Sequence, residues 1–311
     1  MNYKNNNIAE RVVGSFASSV KVRSLTALVI LCGLTVSSVE AATVTYKDET
    51  PDPITTLNYT GAEDTHLIEA FNDPRNQNFG ARTDMSIGNG GVNAFGRAHA
   101  LVRFDVSSLA GQFASIDAAK VRLYYAGTPS LSAGSFSAYQ VSAANTGWVE
   151  GPGAGSVASN QFPGSSTWAE RLRGTQGSNG TPNGTPWASG THVWPTNGGL
   201  SIPPTDHISS AIATAAFTGT ELATTSVDLV LNNMSAVVDW INGTNSGLVL
   251  KPDTPTDLGG VKWYTSEAIG LGAGFAQYHP ELIIDYTAIP EPASLTLLVM
   301  SSLALLCGRR K

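Results

Sequence analysis

Between residues 42 and 290 the chain has no cysteine; its two cysteines, Cys32 and Cys307, lie near the ends. No disulfide and no cysteine-ligated zinc can therefore support the body. Charge is also scarce: 14% of residues are charged, against about 25% in an ordinary globular chain. That excludes a charge-rich disordered polymer and a coiled coil. Basic charge is scarcer still. Residues 42–290 hold 11 basic and 21 acidic side chains, a net of −10, so there is no electrostatic footprint for nucleic acid. Catalytic signatures are missing too. There is no Gly-x-Ser-x-Gly elbow, no His-Glu-x-x-His and no phosphate-cradling Gly loop, and the histidines sit in no motif. The expectation is a protein that is not an enzyme.

The two ends carry what the body lacks. Lys21 and Arg23 precede an apolar run at residues 25–36, and Val39-Glu40-Ala41 follows. A basic stretch, about a dozen apolar residues and a small-x-small site form the pattern of a secretory signal peptide. Residues 1–41 are read as a signal helix, with cleavage between Ala41 and Ala42. At the other end come Pro290-Glu291-Pro292, an apolar run at residues 295–307, and Arg309-Arg310-Lys311. Both runs are shorter than the roughly 20 residues of a spanning helix. The basic cluster would hold the extreme C-terminus in the cytoplasm. Pro290, Glu291 and Pro292, then an apolar helix, then Arg309 and Arg310, resemble a PEP-CTERM sorting tail over residues 289–311. The resemblance implies an exosortase-type membrane protease as partner. It also implies transient inner-membrane anchoring and a final place at the cell surface or in the exopolysaccharide matrix of a Gram-negative bacterium.

The body alternates. Segments at residues 65–71, 98–106, 120–125, 135–141, 226–231, 247–251, 261–265 and 281–286 are period-two or short apolar runs bounded by Gly, Pro, Asn, Asp and Ser. Such segments read as antiparallel strands. About eight or nine of them predict an all-β antiparallel sandwich or jelly roll. Val102, Phe104, Val121, Leu123, Trp240 and Ile283 are its expected core. One short helix is predicted after Asn232 or Asn233, with Val237, Val238, Trp240 and Ile241 as its apolar stripe and Asn242-Gly243 as its end. A second is predicted over residues 206–216, rich in Ala and Ser. Residues 145–204 lose regularity yet hold Trp148, Trp168, Trp187 and Trp194, which marks ordered loops rather than a linker. Trp148 and Trp240 are expected in the core.

Several pieces stand in a set order: Asp64-Thr65-His66-Leu67-Ile68, Asn76-x-Asn78-x-Gly80, Leu101-Val102-Arg103-Phe104-Asp105-Val106-Ser107 and Val121-x-Leu123-Tyr124. After them come Trp148-Val149-Glu150-Gly151, Ser166-Thr167-Trp168, Val238-Asp239-Trp240-Ile241-Asn242-Gly243, Tyr264-Thr265-Ser266-Glu267 and the run from His279 to Tyr286. Together these resemble the DNRLRE-type domain. The resemblance implies a β-sandwich of the carbohydrate-binding-module kind over residues 62–288, preceded by an N-terminal extension at 42–61.

Sugar binding needs aromatic faces and polar hydrogen-bonding groups. Trp168, Trp187, Trp194, Arg171 and Arg173 are the candidates, the arginines suiting the carboxylates of an acidic polysaccharide. Calcium is the cofactor an acidic secreted sandwich would take, with Asp64, Asp73 and Asp84 as candidate ligands. Glu150, Glu170, Glu267 and Glu281 are the carboxylates a glycosidase pair would draw on. For Glu150 and Glu267 a structural role, bonding loop amides, is preferred. Three functional readings follow: a non-catalytic carbohydrate-binding module with extracellular polysaccharide as partner; a purely structural matrix protein; and, last, a polysaccharide lyase or hydrolase.

Overall fold

A computed structural model describes residues 40–68, 77–89, 97–127, 133–155, 162–168, 170–174, 184–188, 205–253 and 261–289. The expected signal run and sorting tail, Trp194 and Asp73 lie outside them. Ala41–Ala288 form one compact unit.

The unit is all-β and sandwich-like, with every described strand pairing antiparallel. Its strands are β1 (Ala41–Tyr46), β2 (Ala62–Ile68), β3 (Asp84–Asn89), β4 (Arg97–Phe104), β5 (Phe113–Tyr124), β6 (Gly134–Gln140), β7 (Ala213–Phe217), β8 (Ser226–Val230), β9 (Leu248–Pro252), β10 (Val261–Tyr264) and β11 (Glu281–Ala288). A four-stranded sheet runs β1-β11-β5-β8. A seven-stranded sheet runs β10-β3-β4-β9-β6-β7, with β2 paired to β4.

Alternation decides which side chains meet between the sheets, because successive residues of a strand point to opposite faces. Ala100, Val102 and Phe104 of β4 and Leu248 and Leu250 of β9 share one buried cluster with Val121 and Leu123 of β5 and Leu282 and Ile284 of β11. The helix α1 (Met234–Ile241) contributes Val237, Trp240 and Ile241 to the same cluster. Asn233 caps it by accepting a hydrogen bond from the Ala236 N–H, satisfying one of the free donors of the first turn. No described helix is long and apolar enough to cross a membrane.

The outer face of the seven-stranded sheet is apolar as well. Leu67, Leu101, Val141 and Val249 meet Trp148, Trp168 and Trp187 in a second buried cluster. The loops between β6 and β7 thus act as a lid of tryptophans. Trp148 Nε1 donates to the Ser246 carbonyl at 2.9 Å and Trp187 Nε1 to the Thr167 carbonyl at 3.1 Å, so both ring N–H groups are satisfied in the dark.

Some expectations are corrected. Ile283 is only half-buried, and Leu282 and Ile284 take the inward places. In an unbroken apolar run either face fits the pattern, and pairing to β5 chooses. Residues 206–216 form no helix. Ala213–Phe217 is a strand with alternating burial, paired to β6. Alanine's helix propensity is outweighed by the ladder and by burial of one face. The stretch before residue 62 is no mere extension, since β1 pairs along β11 from Ala41↔Thr287 to Tyr46↔Leu282. Ala41 and Ala42 are its first two residues.

Candidate metal centre

Three carboxylates from distant parts of the chain meet at the free edge of β2. Asp64, Glu150 and Glu267 each bring one oxygen to a place where all three lie within 4.8 Å of one another. Asp64 is fully buried on β2. Glu150 follows Trp148 by two residues, and Glu267 lies in the first turn of the 3-10 segment Ser266–Leu271 after β10.

Each segment is held by its own hydrogen bonds. The Asp64 N–H, which has no strand partner on that edge among the described residues, donates to Glu150 Oε1 at 3.3 Å. The Ser266 N–H donates to Asp64 Oδ2 at 2.8 Å, and Ser266 Oγ donates to Glu267 Oε1 at 3.1 Å. Asn78 is the latch of the Glu150 loop. Its Nδ2 donates to the Glu150 and Ser166 carbonyls, while its Oδ1 accepts from the Gly153 N–H at 2.7 Å. Gly80 packs against this loop so tightly that a Cβ there would come within 2.0 Å of the Gly151 carbonyl. Gly151 itself takes φ +76°, where an L side chain is strained.

After these bonds are made, Asp64 Oδ1 and Glu267 Oε2 remain buried without a partner. Among the described residues no lysine or arginine is ion-paired with any of the three. Burial disfavours the charged form of each, and mutual repulsion adds to it. Asp64 is pushed well above the usual carboxylate range by burial and then by Glu267. Glu150 is raised by burial, then by Asp64 and Glu267, and Glu267 is raised chiefly by burial. Asp48 stands near and is itself pushed up to about 6 by burial.

A cluster of this kind has two ways to be stable: hold protons, or hold a cation. The donor set is all oxygen, which suits a hard divalent ion. Calcium binds oxygens at about 2.3–2.6 Å, so ligands on opposite sides of it lie about 4.6–5.2 Å apart. The observed spread fits that span, and the orphaned oxygens of Asp64 and Glu267 supply ligands already stripped of other bonds. Neither described cleft, of about 240 and 400 Å³, is lined by these residues.

The expected ligand set is therefore re-formed. Asp64 is in the cluster, but Asp84 is not. Asp84 accepts from Arg82 Nε at 2.9 Å and from Lys262 Nζ at 2.7 Å, and these cations hold its carboxyl low despite burial. Glu150 and Glu267 replace it. Their signal in the sequence was an acid beside Gly151 and an acid beside Ser266, each ending an apolar piece. Glu150 does bond a backbone amide, as the structural reading held, but that of a strand rather than of a loop.

The expected sugar platform is corrected too. Trp168 is 3% exposed and Trp187 1%. Their faces are spent on the outer cluster, because an apolar sheet face must be covered. Arg173 is buried, and Arg171 donates to the Ala144 carbonyl at 2.6 Å. Trp148 and Trp240 are buried as expected. No protein-family model matches the chain, and no curated protein matches it.

Proposed function

We propose that this chain is an exported, non-catalytic module of the cell surface or exopolysaccharide matrix, its jelly-roll-like body closed by a calcium ion at Asp64, Glu150 and Glu267. The observation that carries this is the meeting of three carboxylates without a counter-cation, two of their oxygens buried and unbonded. Extracellular modules bind calcium at about 10⁻⁴–10⁻³ M, so such a site fills outside the cell. The signal-like N-terminus and the PEP-CTERM-like tail, with an exosortase-type protease as partner, fit the same destination. Burial of Trp148, Trp168, Trp187, Trp240 and Trp263 favours the structural matrix reading over a tryptophan-based sugar platform.

The test is thermal unfolding of the full chain in EDTA and in rising CaCl₂. At a hundred times the dissociation constant, calcium should add about 2.7 kcal/mol. That is roughly 5–10 °C in Tm for a domain of this size. Glu150→Gln should abolish the response. An unchanged Tm in 10 mM CaCl₂ (roughly tenfold the weak end of that range) removes the cation from the reading.

A further inference from the structure

The three-carboxylate cluster reaches the surface on one side. Asp64 is buried, but Glu150 and Glu267 are only half-buried, and each of the three brings one oxygen to the shared place. Calcium takes about 6–8 oxygens, so about three to five of its places would fall to ligands other than these. The two glutamates also stand beside apolar side chains left in solvent. Val149 precedes Glu150 and is 44% exposed, while Ile269 and Leu271 follow Glu267 by two and four residues and are 41% and 51% exposed. Between Glu267 and His279 there is no charged residue. That stretch forms two 3-10 turns, Ser266–Leu271 and Ala273–Tyr278, joined at Gly272 with φ +127°, which an L side chain rarely adopts. Residues 269–274 are all exposed. Phe275 anchors them, its ring centroid 5.7 Å from that of Tyr264 and 6.1 Å from that of Tyr278.

Single apolar side chains in solvent, such as Leu57 and Leu222, are ordinary. Three beside one cation site, on segments from different parts of the chain, call for an occupant with two properties. It must offer oxygens to the open calcium places, and it must take apolar tips out of water. A polyhydroxylic polymer does the first and leaves the tips wet. A phospholipid surface does both, with phosphate oxygens for the ion and the boundary of headgroups and acyl chains for the tips. Charge sets the order of events. The body is net −10 between residues 42 and 290, so an anionic surface repels it until a cation stands between them.

We propose that Val149 and the loop 269–274 dock on an anionic phospholipid surface, with the calcium ion of Asp64, Glu150 and Glu267 shared by lipid phosphate. Ile269 and Leu271 enter the headgroup layer, and the ion bridges protein and lipid. This rests on calcium binding at the cluster.

The test is co-sedimentation of the full chain with vesicles of phosphatidylglycerol and phosphatidylcholine, or of phosphatidylcholine alone, in CaCl₂ and in EDTA. Sedimentation in EDTA, to which the apolar runs at the two ends contribute, is the baseline. Calcium should raise it on the phosphatidylglycerol vesicles only. Leu271→Ser should cut the calcium-dependent part about tenfold, the effect of withdrawing one aliphatic side chain from burial, with the calcium response of Tm kept. Ile269→Ser should act alike. Excess glycerol phosphate, which offers the same phosphate without a membrane, should release little protein. Equal sedimentation on phosphatidylcholine alone, release by glycerol phosphate, or a Leu271→Ser protein that matches wild type overturns the docking. A calcium-dependent Tm without calcium-dependent sedimentation also overturns it and leaves the cation reading standing. Loss of both removes the cation as well.

Discussion

Asp84 and Asp64 are both carboxylates on strands of the seven-stranded sheet, and burial acts on both in the same direction. Asp84 sits between Arg82 and Lys262 and is held low. Asp64 sits beside Glu150 and Glu267 and is held high. On the four-stranded sheet, Asp228 repeats the first case, held at about 2 by Arg122 and then Lys120. The chain can neutralise its acids and does so elsewhere. Leaving three of them together makes sense when the neutralising charge arrives from outside.

The sharpest way to break this contrast is to neutralise one acid of each kind. With calcium present, Asp64→Asn should forfeit the cation's contribution of about 3 kcal/mol. In EDTA the same change should be neutral or stabilising, because Asn is uncharged without the cost of holding a proton that the unfolded chain would release. Denaturant unfolding in both buffers reads the sign. Asp84→Asn should cost about 2 kcal/mol in either buffer. Its cations are about one-third exposed, but Asp84 itself is 16% exposed, so the loss lies between that of a buried pair and of a surface pair. If both variants respond alike to calcium, the contrast is false.

The pH dependence should separate the two states of the cluster. Without calcium, the folded form keeps protons that the unfolded chain releases near the ordinary carboxylate pKa of about 4. Stability is then greatest below that value and falls as pH rises, by on the order of 1 kcal/mol per pH unit for each group still protonated. With calcium bound the carboxylates are ionised and protons compete, so stability should fall toward acid instead. Tm scans from pH 5 to 8 in EDTA and in calcium should slope in opposite directions. Parallel slopes would mean the cluster holds protons only.

The smallest effect is expected at Asp228. Its partners Lys120 and Arg122 are about one-third exposed, and solvent screening should keep the loss on Asp228→Asn below about 1 kcal/mol. A larger cost would mean the outer face of the four-stranded sheet is covered by something in the native assembly.

The strands at 98–106, 120–125 and 281–286 were legible because a half-buried strand writes its faces into alternate residues. β7 was not, because Ala-Thr-Ala-Ala-Phe suits a helix locally and becomes a strand only beside β6. β1 and β3 hid for a similar reason: their alternation is too brief to read without partners. Ile283 shows the limit of the method even where a strand is plain, since Leu-Ile-Ile carries no period. The tryptophans show another limit. A ring in a Gly-rich loop reads alike whether it covers a sheet or offers its face to a sugar, and only the apolar outer face of the seven-stranded sheet explains why Trp168 and Trp187 are buried.

By itself the sequence determined the lack of cysteine in the body, its acidic balance, the apolar runs and basic clusters at the two ends and the antiparallel class, because each is a matter of composition or local period. It also supplied every acid of the cluster. What only tertiary structure decided is which acids meet. Glu150 lies 86 residues from Asp64, and Ser266, the neighbour of Glu267, lies 202 residues from it. They are joined by the Asn78 latch, by the close approach at Gly80 and by the turn that follows β10. Electrostatic repulsion is a property of distance in space, so no reading along the chain could show that these three would share one site while Asp84 would not.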